Sequence, residues 1–125
     1  MQLSITQEFL LLMLWQMKCL PDKQYVKSKQ VVIRFFSELD GYVCDSYSTV
    51  VQELYDLARP WKIETPLVDG HGNFGDPADP VDIMGADPKY TEVCLSEEGV
   101  KYIKSQGYDK IDRHALLKKH GIDYN

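Results

Sequence analysis

The sequence has no apolar run long enough to cross a bilayer. The longest, Phe9 to Trp15, falls far short of the roughly 20 residues a spanning helix needs. No membrane association is expected, and the run reads either as a buried helix or as a surface for self-association into a homodimer. Cysteine is also scarce. Cys19, Cys44 and Cys94 are odd in number and widely spaced, which excludes a disulfide framework and a paired-cysteine metal motif. His71, His114 and His120 form no ligand cluster with them, so neither a metal nor a cofactor is expected. The N-terminus lacks the charged, apolar, then small-residue order of a secretory signal, and a cytoplasmic location with reduced thiols is expected. There is no internal repeat and no linker-like stretch, so residues 1–125 are read as a single domain. Positive charge is in deficit as well, with 14 Lys and Arg against 19 Asp and Glu.

What is present argues for a folded core. Two Trp, eight Tyr and four Phe are too many for a disordered tail. A chain of this length buries roughly two-thirds of the surface it would expose unfolded. The charges are segregated. Residues 18 to 34 carry Lys18, Lys23, Lys27, Lys29 and Arg34 against Asp22 alone, whereas residues 64 to 98 carry nine acids against Lys89 alone. The first segment suits a phosphate backbone and the second repels it.

Ser4 with Gln7 resembles a capping box, and strong helix formers follow to Lys18, with Pro21 as the stop. After a polar stretch, Ser28 is placed to cap a second helix running to about Leu39. Its Val31, Val32, Phe35, Phe36 and Leu39 recur at helical spacing, leaving Lys27, Lys29, Gln30 and Arg34 nearer the other side. Helix, short turn and basic-starting helix is the order of a helix-turn-helix. Asp40-Gly41 breaks the pattern, and a third helix is predicted from about Ser48 to Ala58. Glycine and proline then concentrate between Pro60 and Pro88, where loops should dominate. Tyr90 to Leu95 alternates like a strand, Ser96-Glu97-Glu98 starts a helix that Gly107 closes, and Ile111-Asp112 starts a last helix stopped by Gly121. The expected fold is α+β: a winged helix-turn-helix with a small β wing and extra C-terminal helices over 97–125.

Leu67-Val68-Asp69-Gly70-His71-Gly72-Asn73-Phe74-Gly75 matches at every position the Leu-Val-Asp-Gly-(Gln or His)-Gly-Asn-Phe-Gly motif of type IIA topoisomerases. Fifteen residues after Gly75, Tyr90-Thr91-Glu92 is similar to their Arg-Tyr-Thr-Glu. Upstream, Tyr25-x-x-Ser28 with Val31-Val32 resembles a basic recognition helix, and Ala58-Arg59-Pro60-Trp61 resembles the segment before the glycine loop. From about residue 10 to 96 the chain thus resembles the winged-helix DNA-cleavage domain of the type IIA topoisomerases, the one that DNA gyrase and topoisomerase IV carry in their A subunits. The resemblance implies that Tyr90 stands where the family's tyrosine attacks a DNA phosphodiester. Physically, Gly70, Gly72 and Gly75 tolerate positive φ and present unhindered N–H groups, which suits a loop whose backbone approaches a phosphate. At the basic start of the second helix, Lys27, Ser28, Lys29, Gln30 and Arg34 are the expected DNA contacts.

Several family cations are missing. Lys89 replaces the Arg before the tyrosine and loses the bidentate fork. Asp40 to Asp45 replaces a His-Pro-His-Gly-Asp segment, and Leu10 to Leu12 aligns with a His-Arg-Arg. The stretch between glycine loop and tyrosine carries Asp76, Asp79, Asp82 and Asp87 and is about two residues longer than usual. A phenol of pKa about 10 needs a base or cation to attack, so these losses weigh toward Tyr90 as one more tyrosine at the edge of a wing. Counterparts of the tower, gate, ATPase and metal-binding domains of a complete enzyme are not expected, and neither is autonomous strand passage. Three functions remain: a domain that binds duplex DNA or associates with a topoisomerase without independent catalysis, an acidic DNA mimic inhibiting a DNA-handling enzyme, as a phage or mobile-element antagonist would, and a residual DNA-cleaving enzyme that works with a partner.

Overall fold

The computed structural model describes residues 2–123, in which five helices pack with a three-stranded sheet. The first helix, α1 (Ile5–Gln16), begins with the expected capping box: the Gln7 N–H donates to Ser4 Oγ and the Ser4 N–H to Gln7 Oε1, both at 3.0 Å. Residues Thr6 to Leu14 are buried on all sides, as a helix apolar around its whole circumference must be. Phe9 to Leu14 are at most 1% exposed, with the other elements packed around them. The apolar run is therefore the centre of the protein's own core, and the expectation that it offers a homodimer surface is corrected. Among the described residues no helix is long and apolar enough to cross a membrane. Helix α1 stops before Pro21: Lys18 takes φ +59° and the Cys19 N–H turns back to the Leu14 carbonyl at 3.0 Å.

A two-residue strand, β1 (Val26–Lys27), then pairs antiparallel with β3 (Glu92–Leu95), setting Val26 opposite Val93 and Lys27 opposite Glu92. This strand corrects the expected helix-turn-helix. Because β1 separates α1 from α2 (Ser28–Leu39), the consecutive pair is α2 and α3 (Tyr47–Asp56), joined by residues 40–46. Helix α2 buries Val31, Val32, Phe35 and Leu39, and Asp40 ends it at φ +47°. Ser46 caps α3, which turns Val50, Val51, Leu54 and Tyr55 inward.

The wing is β2 (Val68–His71) paired antiparallel with β3, from Val68 opposite Leu95 to His71 opposite Glu92, in the sheet order β1-β3-β2. The element order α1-β1-α2-α3-β2-β3 is that of a winged helix, and the fold is α+β. Two further helices follow, α4 (Glu97–Gln106) and α5 (Arg113–Lys119). Ser96 caps α4 and its hydroxyl donates to the Pro66 carbonyl at 2.9 Å. A Cβ on Gly99 would stand 2.0 Å from the Leu67 carbonyl oxygen, so the helix lies directly on the backbone entering β2. Asp112 caps α5, and the Ile122 N–H closes it on the Leu117 carbonyl beyond Gly121. The extension shares the core: Leu116 and Leu117 are buried, the Tyr108 hydroxyl donates to Glu8 of α1, and His120 Nε2 lies 3.0 Å from Glu8 Oε2.

Candidate nucleic-acid interface

Tyr90 is the last residue of a single 3₁₀ turn, Pro88–Tyr90, and not a strand residue as its alternation suggests; β3 begins two positions later. Asp87 builds the turn by accepting the Lys89 N–H on its carboxylate and the Tyr90 N–H on its carbonyl, each at 2.9 Å. The Tyr90 side chain is 67% exposed, with Lys89 Nζ 5.0 Å from its ring centroid. Among the described residues none hydrogen-bonds its hydroxyl. The chain thus presents a phenol with a neighbouring cation and no base in contact to take its proton.

Beneath Tyr90 lies a buried polar chain. The Thr91 hydroxyl donates to Ser28 Oγ at 2.7 Å and sits 2.9 Å from the Tyr55 hydroxyl, which donates to the Ala86 carbonyl at 2.7 Å. The Ser28 N–H bonds the Thr91 carbonyl at 3.0 Å. Burial raises the Tyr55 phenol above its ordinary pKa. Ser28, expected as a helix cap and DNA contact, is fully buried and is the first residue of α2. It anchors the helix to the tyrosine turn and is corrected as a surface contact.

That anchoring brings two distant segments together. Lys27, Lys29 and Gln30 are exposed at the start of α2, next to Thr91 and hence beside Tyr90. Lys27 at the N-cap position makes no side-chain cap; the Ser28 N–H is taken by the Thr91 carbonyl, and the first-turn N–H groups after it face no capping side chain. Arg34 is farther along, half-buried and paired with Glu38, which also takes Arg113 at 3.3 Å.

The three motif glycines do three different things. Gly70 does not have positive φ; a Cβ there would be 2.3 Å from the Phe74 ring, so this glycine makes room for Phe74. Gly72, at φ +113°, packs against the Tyr90 carbonyl, 3.1 Å from where a Cβ would be. Gly75, at φ +99°, already donates its N–H to Asn73 Oδ1 at 2.8 Å, and a Cβ there would meet the Ile83 carbonyl at 2.3 Å. Of the three, only Gly72 packs on Tyr90; Gly75 has positive φ as expected but its N–H is already taken by Asn73, and Gly70 lies in β2 without positive φ. His71 is exposed and stacks on Tyr25, centroids 3.8 Å apart at 16°. The Tyr25 phenol is pushed up to about 12 by burial, by its hydrogen bond with Cys94 and by the nearby Asp69 and Asp22 charges.

The aspartates of the long connection fold it locally. Asp76 Oδ1 accepts the Ala78 N–H at 2.9 Å and Asp79 Oδ1 the Val81 N–H at 3.0 Å, while Asn73 Nδ2 donates to both carboxylate oxygens of Asp82 at 3.0 Å. Among the described residues no group of three or more His, Cys, Asp or Glu could hold a metal. The residue sequence reasoning passed over is Arg59, only 4% exposed. Its guanidinium donates to the Phe74 carbonyl at 2.7 Å, Gln52 Oε1 at 2.8 Å, Asp56 Oδ1 at 3.0 Å and the Met84 carbonyl at 3.1 Å, and lies 5.4 Å from the Tyr55 ring centroid. A lone Arg before a Pro gave no signal of this, because two of those acceptors are backbone carbonyls distant in sequence.

No family model matches the chain. Curated proteins do. The chain is 30% identical over 93 residues to the DNA gyrase A subunit of Mycobacterium tuberculosis, covering 74% of this chain and 10% of that protein. It is 34% identical over 98 residues to the DNA gyrase A subunit of Streptomyces coelicolor, covering 75% and 11%. It is 32% identical over 96 residues to the DNA gyrase A subunit of Spiroplasma citri, covering 73% and 37%. The chain thus spans between about a tenth and two-fifths of the length of these relatives. Over about three-quarters of its length the chain is thus a DNA gyrase A-like domain.

Proposed function

We propose that this domain binds duplex DNA in the cytoplasm, as a topoisomerase-related winged helix that does not cleave on its own. The observation that supports it best is the junction of α2 with the tyrosine turn. Lys27, Lys29 and uncapped N–H groups stand beside exposed Tyr90, Lys89 and Gly72. Cations and helix N-terminal N–H groups suit phosphate oxygens. A phenol without an adjoining base suits a contact better than a nucleophile. Fluorescence anisotropy with a labelled duplex at low salt tests the reading. Binding that survives Tyr90→Phe, with no covalent protein–DNA adduct in either form, is expected; absence of binding at low salt, or an adduct lost in Tyr90→Phe, contradicts it.

A second reading is favoured by the loop carrying Asp76, Asp79 and Asp82, from which Val81 projects at 93% exposure. Under it the domain is an acidic mimic that occupies the DNA surface of another enzyme. Inhibition of gyrase supercoiling without DNA binding would select this reading.

A further inference from the structure

We infer that Arg59 is a positioning residue that holds the acidic loop against α3, and so sets how strongly the neighbouring surface takes DNA. The inference rests on the DNA-binding reading above and assigns that surface an internal brake. The return limb of the loop is fastened to one stripe of α3 and its exit. Gln52 Nε2 donates to the Met84 carbonyl at 3.1 Å, Tyr55 to the Ala86 carbonyl, and Arg59 to both limbs at once, through Phe74 on the outgoing side and Met84 on the returning side. The two limbs touch closely: the Ala86 N–H bonds the Asn73 carbonyl at 2.9 Å, and Gly75 has no room for a Cβ between the Ile83 carbonyl and Arg59 Nη2.

Helix α3 is the second helix of the helix-turn-helix, the one that enters a major groove in such folds. Its exposed residues, Tyr47, Ser48 and Thr49, carry no cation, and the half-buried Gln52, Glu53 and Asp56 that follow add an amide and two carboxylates. The loop held along it adds Asp82, tied to Asn73, whose neighbour Gly72 packs on Tyr90. Carboxylates fixed there repel a phosphate backbone at short range, and they do so only while the loop is held in place. Arg59 is nearly fully buried and its charge is paired with Asp56 at 3.0 Å, so it is no contact for DNA itself. Its action runs through the loop.

Two variants separate the position of the loop from its charge; Arg59→Gln also uncovers the Asp56 carboxylate, which works against DNA binding, so a gain in affinity from it reports the release of the loop. Arg59→Gln removes the multiple tie. The triple variant Asp76→Asn, Asp79→Asn, Asp82→Asn keeps side-chain oxygen acceptors for the turns and removes the charge. Amide hydrogen exchange over residues 73–86 should accelerate in Arg59→Gln while α1 stays protected. Duplex affinity at low salt should rise roughly three- to tenfold in either variant, as a few nearby like charges are displaced or neutralised. Adding Arg59→Gln to the triple-Asn protein should then change affinity no further. Unaltered exchange over 73–86 overturns the inference whatever DNA does. So does an affinity gain from Arg59→Gln of equal size in the charged and neutral loops. If Arg59→Gln fails to fold, the triple-Asn protein decides alone, and unchanged affinity overturns the inference. Loss of loop protection in Arg59→Gln with no DNA binding by any variant instead defeats the DNA-binding reading and leaves the tie intact.

Discussion

At the scale of single residues, the glycine motif is a set of packing constraints. Gly75→Ala places a methyl 2.3 Å from the Ile83 carbonyl at φ +99°, a backbone clash no rotamer relieves. The expected cost is about 1–3 kcal/mol, read as a lower urea midpoint with unchanged m-value. Gly107→Ala is the control: its φ is +76°, but nothing lies within 4 Å, and the cost should be about 1 kcal/mol from the left-handed backbone alone. Titration offers a second residue-scale prediction. Tyr25 ionises near 10 unfolded and only near 12 folded. Its folded pKa is raised, so its contribution is fully present below about pH 10 and is lost as pH climbs toward 12, because the unfolded chain releases a proton the native one retains. Stability should fall through that window, and Tyr25→Phe should flatten the decline measured by thermal melts at fixed pH steps.

At the scale of elements, legibility followed locality. The Ser4 capping box, the Ser96 and Asp112 caps and the glycine stops after α4 and α5 each depend on residues within a turn of one another, and the structure places them as expected. The helix-turn-helix pair was not legible in the same way. Strand β1 has only two residues and exists because β3, more than sixty positions later, offers it a partner, so nothing in its own pattern marks it. Tyr90 was misplaced for a related reason: alternation continues into Pro88–Tyr90, but Asp87 captures the Lys89 N–H and winds the segment into a turn. Ser28 looked like a surface cap because its true partner, Thr91, is remote. Arg59 stayed invisible because its role is written in carbonyls. Helix α1 provides an element-scale test. Leu12→Ala, at the fully buried centre, should cost about 2–5 kcal/mol in equilibrium unfolding. Ile33→Ala on the 52%-exposed side of α2 should stay within about 0.5 kcal/mol.

At the scale of the whole molecule, a chain of net charge −5 can hold a DNA backbone only if its cations are gathered and its anions held apart. The fold does the gathering: β1 pairing with β3 carries Lys27 and Lys29 to the tyrosine turn. The fold also brings in the opposition, by folding the long acidic connection back onto α3. The family relationship was readable from nine consecutive residues and a tyrosine. The balance of charge around them was not, since it depends on which face each acid reaches.

The most direct test of DNA binding at the α2 start is the salt dependence of duplex binding by the intact chain and by Lys27→Glu, Lys29→Glu. Each phosphate-contacting lysine should contribute about one to the slope of log K against log salt. Measurable low-salt binding is expected, with a slope that falls by about two in the double variant and a fold unchanged by circular dichroism. Binding with the same affinity and slope in both proteins would contradict the placement of DNA at the α2 start, and with it the central claim.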